Sequence, residues 1–516
     1  MPERPPSAGT PGWQRALAPD HIGFILGPLV LIGWLLFTDP GTLRPEAHRL
    51  AGILLFTFIW WVTEPIPIAA TGLLAVVLCV VMGVIPPESG RDGTKSVLAP
   101  FADPSVFFLL GGLFIGRAMS RHGLDRRLAL SLLCTRWAGR SPATLLATVG
   151  LSVTLISMWI SNTAATAMMC PVTVGIITVL ATSDKSFAQS RYATALLLIT
   201  AFGASIGGIA TPIGTATNVV ALGFFRRPDV LGSSVDFLGW CAVGVPMMVM
   251  IFVGTFVWLR LLAPPEKLNM PALREYLRAE HAKLGPWKCG EVNTLAVFLI
   301  VVSLWIAPGV LAIVGATDAQ KAFNRMLPEE IIALLAPVLL YLIPVDYRNR
   351  RFTLESADFQ QIDWGTILMY GAALSLGVLM FRTGLAEATG RGIFNWLGTR
   401  DLWILTAVAI VSGILLSEFT SNAATASALL PVIHQLCVEA GVNPLPPLLG
   451  LTFAASFGSS LPVSTPPNAI VYSTGMTPVR RMIPAGIGVD LVAGLVIWSV
   501  LRIAWAFFKW SPLVVS

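Results

Sequence analysis

WISNTAATAMMCPV at residues 159–172 and FTSNAATASALLPV at residues 419–432 are two versions of one segment. Each carries Ser-Asn followed by small residues and closes on Pro-Val; Asn162 and Asn422 are 260 positions apart, as are Pro171 and Pro431. Upstream, DPSVFFLLGG and DWGTILMYGA align Asp103 with Asp363 and Gly111 with Gly371 at the same offset. Downstream, ASIGGIATPIGTATN (204–218) parallels ASFGSSLPVSTPPN (455–468), with Asn218 and Asn468 now 250 apart. Three blocks in one order mark an internal repeat.

The solvent of this repeat is the bilayer. Of 516 residues 55% are hydrophobic and 12% charged, too apolar for an ordinary soluble domain. Runs close to the roughly 20 apolar residues that cross hydrocarbon recur at 22–38, 66–85, 236–259, 292–315 and 482–508. They are continuously apolar, unlike the alternating segments of an outer-membrane barrel. The expected class is an all-α polytopic protein of an inner, plasma-type membrane, with its first span retained. Cys79, Cys134, Cys170, Cys241, Cys289 and Cys437 form no CxxC pair, so neither a disulfide framework nor a zinc site is expected. The net charge of +6 comes from basic residues in loops beside spans, which fits membrane orientation and not nucleic acid.

A cytoplasmic N-terminus puts Arg117, Arg121, Arg126, Arg127, Arg136 and Arg140 inside, although Arg382, Arg391 and Arg400 then fall outside. The expected organisation is a cytoplasmic tail (1–21), a first half (22–262), a cytoplasmic linker (263–291) and a second half (292–516). Repeat 1 covers about 103–260 and repeat 2 about 363–509; the stretch 124–139 reads as an interfacial helix. Five spans are counted between corresponding points of the repeats, near 104–120, 192–224, 236–260, 292–315 and 330–345. An odd number inverts the second copy, the symmetry of secondary transporters with a midplane site.

Ser161-Asn162-Thr163 and Ser421-Asn422-Ala423 interrupt apolar stretches too short to span twice. Re-entrant helical hairpins over about 143–182 and 401–440 place each polar tip at membrane depth, where irregular backbone must line a cavity or be buried in protein. The helix leaving such a tip aims unpaired N–H groups and its positive dipole end at the cavity, which suits an anion. The plainer alternative, polar side chains bonding neighbouring helices, is weakened by the duplication.

Thr211-Pro212-Ile213-Gly214-Thr215-Ala216-Thr217-Asn218 and Pro462-Val463-Ser464-Thr465-Pro466-Pro467-Asn468 read as unwound breaks within spans, because proline frees an upstream carbonyl and glycine lets the chain turn. Such breaks can coordinate Na⁺; a simple proline kink is the alternative. No Lys or Arg sits in either tip or break. Glu64 and Glu418 stand out as carboxylates at depth, and the sequence leaves open whether each is functional or structural.

WWVTEPIPIAATGLL (60–74), the first Ser-Asn-Thr, SEFTSNAAT (417–425) and STPPN (464–468) resemble the divalent anion/sodium symporters, which carry dicarboxylates, citrate or sulfate. The resemblance runs from about residue 50 to 509. It implies a homodimer of scaffold and transport domains moving as an elevator, with Na⁺ as the coupling ion. One Na⁺ site would use Ser157, Ser161, Asn162 and Gly214, and its mate Ser417, Thr420, Asn422 and Ser464. A small dianion, most simply a C4 dicarboxylate such as succinate, would meet Ser161, Asn162, Thr163, Thr215, Ser421, Asn422, Thr465 and Pro466. Ala423 stands on the substrate side in place of the threonine of the fuller motif, and Ala216-Thr217 replaces the two prolines Pro466-Pro467.

An enzyme would need a reaction centre, and no metal cluster, nucleophile elbow or P-loop is present in the sequence. A cation/proton antiporter would carry acidic residues at the breaks themselves. A Na⁺-independent dicarboxylate exchanger remains the nearest alternative.

Overall fold

The computed structural model describes residues 19–508 apart from 39–40, 42, 86–92, 137, 183–184, 233–234 and 265–269. Most of the expected N-terminal tail therefore lies outside the described residues. In chain order the principal helices are α1 (Pro19–Phe37), α2 (Pro45–Thr63), α3 (Ile68–Val81), α4 (Pro104–His122), α5 (Leu124–Leu133), α6 (Pro142–Ser157), α7 (Asn162–Leu180) and α8 (Arg191–Gly208). There follow α9 (Ala216–Phe225), α10 (Phe237–Leu262), α11 (Met270–Ala282), α12 (Cys289–Ile313), α13 (Thr317–Met326) and α14 (Glu329–Leu342). After a two-stranded hairpin, β1 (Pro344–Asp346) with β2 (Arg351–Phe352), come α15 (Trp364–Arg382), α16 (Leu385–Leu397), α17 (Leu402–Ser417) and α18 (Asn422–Ala440). The chain closes with α19 (Leu445–Ala454), α20 (Pro466–Ser473) and α21 (Val479–Phe508).

Local chemistry sets many of these boundaries. Asp103 caps α4 by accepting from Ser105 N at 2.9 Å, with Pro104 at the first helical position, and Gly123 ends it at φ 72°. Ser141 and Thr144 form a reciprocal capping box on α6; Ser190 accepts from Ala193 N at 3.0 Å on α8. Asp401 takes two amides on α17, Trp403 N at 2.8 Å and Ile404 N at 2.9 Å. Each such cap satisfies an amide that helix geometry leaves without an acceptor. Among the described residues seven helical stretches are long and apolar enough to cross a bilayer. The ten-residue α9 and α19 rise only about 15 Å and cannot cross alone.

The chain forms two compact units: Met1–Ala102 with Trp364–Trp396, and Asp103–Asp363 with Leu397–Ser516. These units cut across the two halves expected from the repeat, because α15, the counterpart of α4, packs with the N-terminal helices. In the smaller unit α1 lies on α2, where Trp60 Nε1 donates to Gly23 O at 3.0 Å and stacks on Phe24. Ser375 on α15 donates to Val97 O at 2.8 Å. Glu64 is an exposed residue with φ 46° that caps the end of α2, at the turn into α3. The arginines expected outside flank or lie on α16, an amphipathic helix on which Arg391 pairs with Glu387.

In the larger unit α8 is the central element, with every residue from Tyr192 to Gly208 buried. It packs against α6, α7, α10, α20 and α21. The half-helices are exchanged: α9, from the first half, packs on α18 of the second hairpin, while α20, from the second half, packs on α7 of the first. Within the 124–139 stretch the helix is α5, held by a buried pair of Arg127 with Glu291 at 2.8 Å. Helix α11 occupies the middle of the linker expected at 263–291.

Candidate functional site

Each Ser-Asn tip sits where one helix stops and another begins. Helix α6 ends at Ser157, Ser161 caps α7, and Asn162 is the first residue of α7. Ser157 Oγ lies 2.9 Å from Asn162 Oδ1 and 2.8 Å from Ala204 O of α8. The second hairpin repeats the arrangement: Ser417 Oγ lies 2.8 Å from Asn422 Oδ1 and 2.9 Å from Ala455 O. Ser161 Oγ accepts from Ala164 N and Ser421 Oγ from Ala424 N, each at 3.3 Å. Both capping serines thus face their own helix N-termini, where the remaining first-turn amides have no intrahelical acceptor.

The breaks are duplicated as closely. Between α8 and α9 the chain unwinds over 209–215, and Asn218 Nδ2 donates to Gly208 O (2.9 Å) and Thr211 O (2.8 Å). Beyond α19 it unwinds again, and Asn468 Nδ2 donates to Gly458 O (3.2 Å) and Leu461 O (3.0 Å). The two asparagines therefore clamp carbonyls ten and seven residues before themselves in both halves. Gly208 O and Gly458 O are the carbonyls left without a helical donor by Pro212 and Pro462, and the asparagines supply one in its place.

Tip and break meet through a glycine. A Cβ on Gly208 would come within 2.4 Å of Asn162 Oδ1, and one on Gly214 within 2.4 Å of Gly208 O. Ser157, Asn162 and Gly214 are thus gathered around Gly208, while Ser161 faces its own helix. In the second half Asn422 Nδ2 reaches Ser456 O at 3.3 Å, and Thr420 Oγ1 donates to Ser421 O at 3.1 Å. Ser464 meets this group through Glu418, donating to Oε2 at 2.7 Å. On the substrate side Ser161 and Thr163 are exposed and Thr215 half-buried, whereas Ala423 and Thr465 are buried and Pro466 is exposed.

Sequence reasoning missed four contributors. Gly208 was readable only as a small residue, since its role depends on what packs against it. Asn218 and Asn468 marked the alignment, but their clamping role is tertiary. Asp490 on α21 lies outside every repeated motif: its Oδ2 is 3.2 Å from Ser460 Oγ, and Ser460 N donates to Glu418 Oε1 at 2.9 Å. One serine thereby joins the two carboxyl groups. A lone acid in a long apolar helix was the available signal.

Oxygen-rich pockets of this kind suit a hard monovalent cation. Among the described residues Asn218 Oδ1, Ser456 Oγ and Thr154 Oγ1 are buried acceptors without a hydrogen-bond partner, and such groups are costly unless something occupies them. No group of three or more His, Cys, Asp or Glu side chains able to hold a metal occurs among the described residues.

Comparison with known proteins agrees with this architecture. Residues 20–515 match the model of the sodium:sulfate symporter transmembrane region. The chain is 31% identical over 482 residues to the sodium-dependent dicarboxylate transporter SdcS of Staphylococcus saprophyticus, covering 92% of this chain and 89% of that protein. SdcS of Staphylococcus aureus is 30% identical over 483 residues with the same coverage. The crystal structure of the Alcanivorax borkumensis YdaH transporter, described as having an unusual topology, superposes with a TM-score of 0.51 at 14% identity. It covers 91% of this chain and all of YdaH, a likeness of fold alone. The chain is a multi-pass membrane transporter and not an enzyme, and it belongs to the sodium:sulfate symporter transmembrane-region family.

Proposed function

We propose that this protein carries small divalent anions, C4 dicarboxylates such as succinate first among them, into the cell together with Na⁺. The observation that carries the reading is the duplicated junction of tip and break: Ser157–Asn162 with the 209–215 break, and Ser417–Asn422 with the break before α20. Each junction offers hydroxyl, amide and carbonyl oxygens and no fixed positive charge. A dianion held between the first turns of α7 and α18 needs compensating charge, and two cations at the junctions supply it. Helix N-termini contribute about half a charge each, too little to balance a dianion alone.

Na⁺ would be held by Ser157, Ser161, Asn162 and Gly214 at one junction and by Ser417, Thr420, Asn422 and Ser464 at the other. The anion would contact Ser161, Asn162, Thr163, Thr215, Ser421, Asn422, Thr465 and Pro466, with Ala423 shaping the pocket. The sodium-dependent dicarboxylate carriers among the relatives support both the ion and the substrate class. Transport would proceed by an elevator-like movement within a homodimer, with the two halves related as inverted repeats.

The test is uptake of labelled succinate, citrate and sulfate into proteoliposomes with Na⁺, K⁺ or choline outside. Succinate uptake that requires Na⁺ and accelerates with an inside-negative voltage is expected. Equal uptake in all three media, with countertransport, would replace the symporter by a Na⁺-independent exchanger.

A further inference from the structure

The larger unit contains a cavity of about 470 Å³ whose lining includes none of the tip or break residues. Its rim holds Arg191, Arg480 and Arg481, and its walls are Ala195, Leu198, Leu259, Leu262, Pro484 and Ala485. We propose that this cavity binds the headgroup and upper acyl chains of an anionic phospholipid.

Charge collects at one end of it. Arg191 opens α8 and the Arg480–Arg481 pair opens α21, so two positive helix ends converge with three guanidinium groups. Arg481 is committed to the scaffold, donating to Gln189 O at 2.7 Å, Ser190 O at 3.0 Å and Thr194 Oγ1 at 3.1 Å. Arg191 and Arg480 are exposed and have no ion-pair partner among the described residues. Guanidinium forks match phosphate geometry.

The other end is built for hydrocarbon. From the cavity the outer face of α10 presents Leu261, Val257, Val253 and Val249, between 48% and 71% exposed. Alongside it α21 presents Ile487, Leu491 and Leu495, between 49% and 69% exposed. The helices are packed together, and the end of α10 meets the start of α21, so both rows lead away from the arginines in the same direction. Trp258 fastens this corner, its Nε1 3.2 Å from Ala485 O; tryptophan is enriched at the level of lipid headgroups. A free dianion would use the arginines and leave the apolar wall unpaired with anything, whereas a phospholipid uses both.

The test uses the purified full-length protein in detergent, titrated with phosphatidylglycerol or phosphatidylcholine and read by native mass spectrometry, beside an R191Q/R480Q variant and an R191K/R480K variant. Arg481 is left intact because it ties α8 to α21. Wild type should retain phosphatidylglycerol over phosphatidylcholine, and the glutamine variant should lose roughly five- to tenfold in apparent affinity per arginine, the size of one basic residue at an anionic membrane surface. The lysine variant should keep most of the binding, which separates lost charge from lost fold. Inorganic phosphate and glycerol phosphate should not displace the lipid. Equal phosphatidylglycerol retention by wild type and the glutamine variant overturns the proposal, as does displacement by either soluble anion. Succinate uptake, assayed after each protein is reconstituted into proteoliposomes, is independent of this outcome.

Discussion

The Ser157 hydroxyl sits 2.9 Å from the side-chain oxygen of Asn162, closing the gap between the last residue of one helix and the first of the next. The same contact between Ser417 and Asn422 measures 2.8 Å. Both serines also reach a carbonyl of a neighbouring helix, so each ties a hairpin tip to the element that breaks beside it.

Removing either hydroxyl should act on the cation first. Ser157→Ala and Ser417→Ala each delete one oxygen from a junction, worth about 1 kcal/mol or somewhat more, and hence roughly a five- to tenfold rise in the Na⁺ concentration for half-maximal uptake. The ranking of succinate, citrate and sulfate should stay unchanged. Na⁺ titrations of uptake check this; an altered anion ranking with normal Na⁺ dependence would reassign both serines to the substrate.

Asn162→Ala and Asn422→Ala should abolish transport, because each amide would serve both ion and anion. Folded protein should remain, since each helix keeps its capping serine. Uptake together with size-exclusion behaviour and thermal melting separates the two effects, and near-normal uptake in both variants would remove these residues from the site.

Gly208→Ala places a methyl group within 2.4 Å of Asn162 Oδ1, so the amide must swing away from Ser157. Transport should fall about tenfold or more, with a loss of roughly 1–3 kcal/mol from overpacking. Gly392→Ala is the control: it lies in exposed helix with nothing within 4 Å of the added Cβ. It should leave uptake unchanged and gain up to about 1 kcal/mol.

Ala164→Cys and Ala424→Cys, in a background lacking the native cysteines, should be labelled at rates that change when succinate and Na⁺ are added. Ala164 is half-buried and Ala424 buried in the present conformation, so a moving tip has to alter their access. Labelling that stays constant from one side in transport-competent protein points to a fixed pore.

Tips and breaks could be read from the sequence because their chemistry is local. Ser-Asn before a small-residue run announces a capped helix start, and Pro212, Gly214, Pro462 and Pro466 announce interrupted backbone. The duplication made each signal count twice. What stayed hidden depends on packing between distant segments: Gly208 has meaning only against Asn162, and Asp490 only against Ser460. At Glu64 the chain turns through a left-handed conformation that the apolar residues around it do not announce. The two compact units were illegible for a similar reason, since α15 joins the N-terminal helices through contacts no periodicity records.

The exchange of half-helices has a consequence for how the protein is made. Helix α7 receives its partner α20 only about 300 residues later in the chain, which at roughly 5–20 residues per second is some 15 to 60 s of synthesis. Throughout that interval α7 lacks the partner that later packs against it. During biogenesis the first half therefore needs a temporary companion, either lipid, water or the insertion machinery, until its own second half is translated.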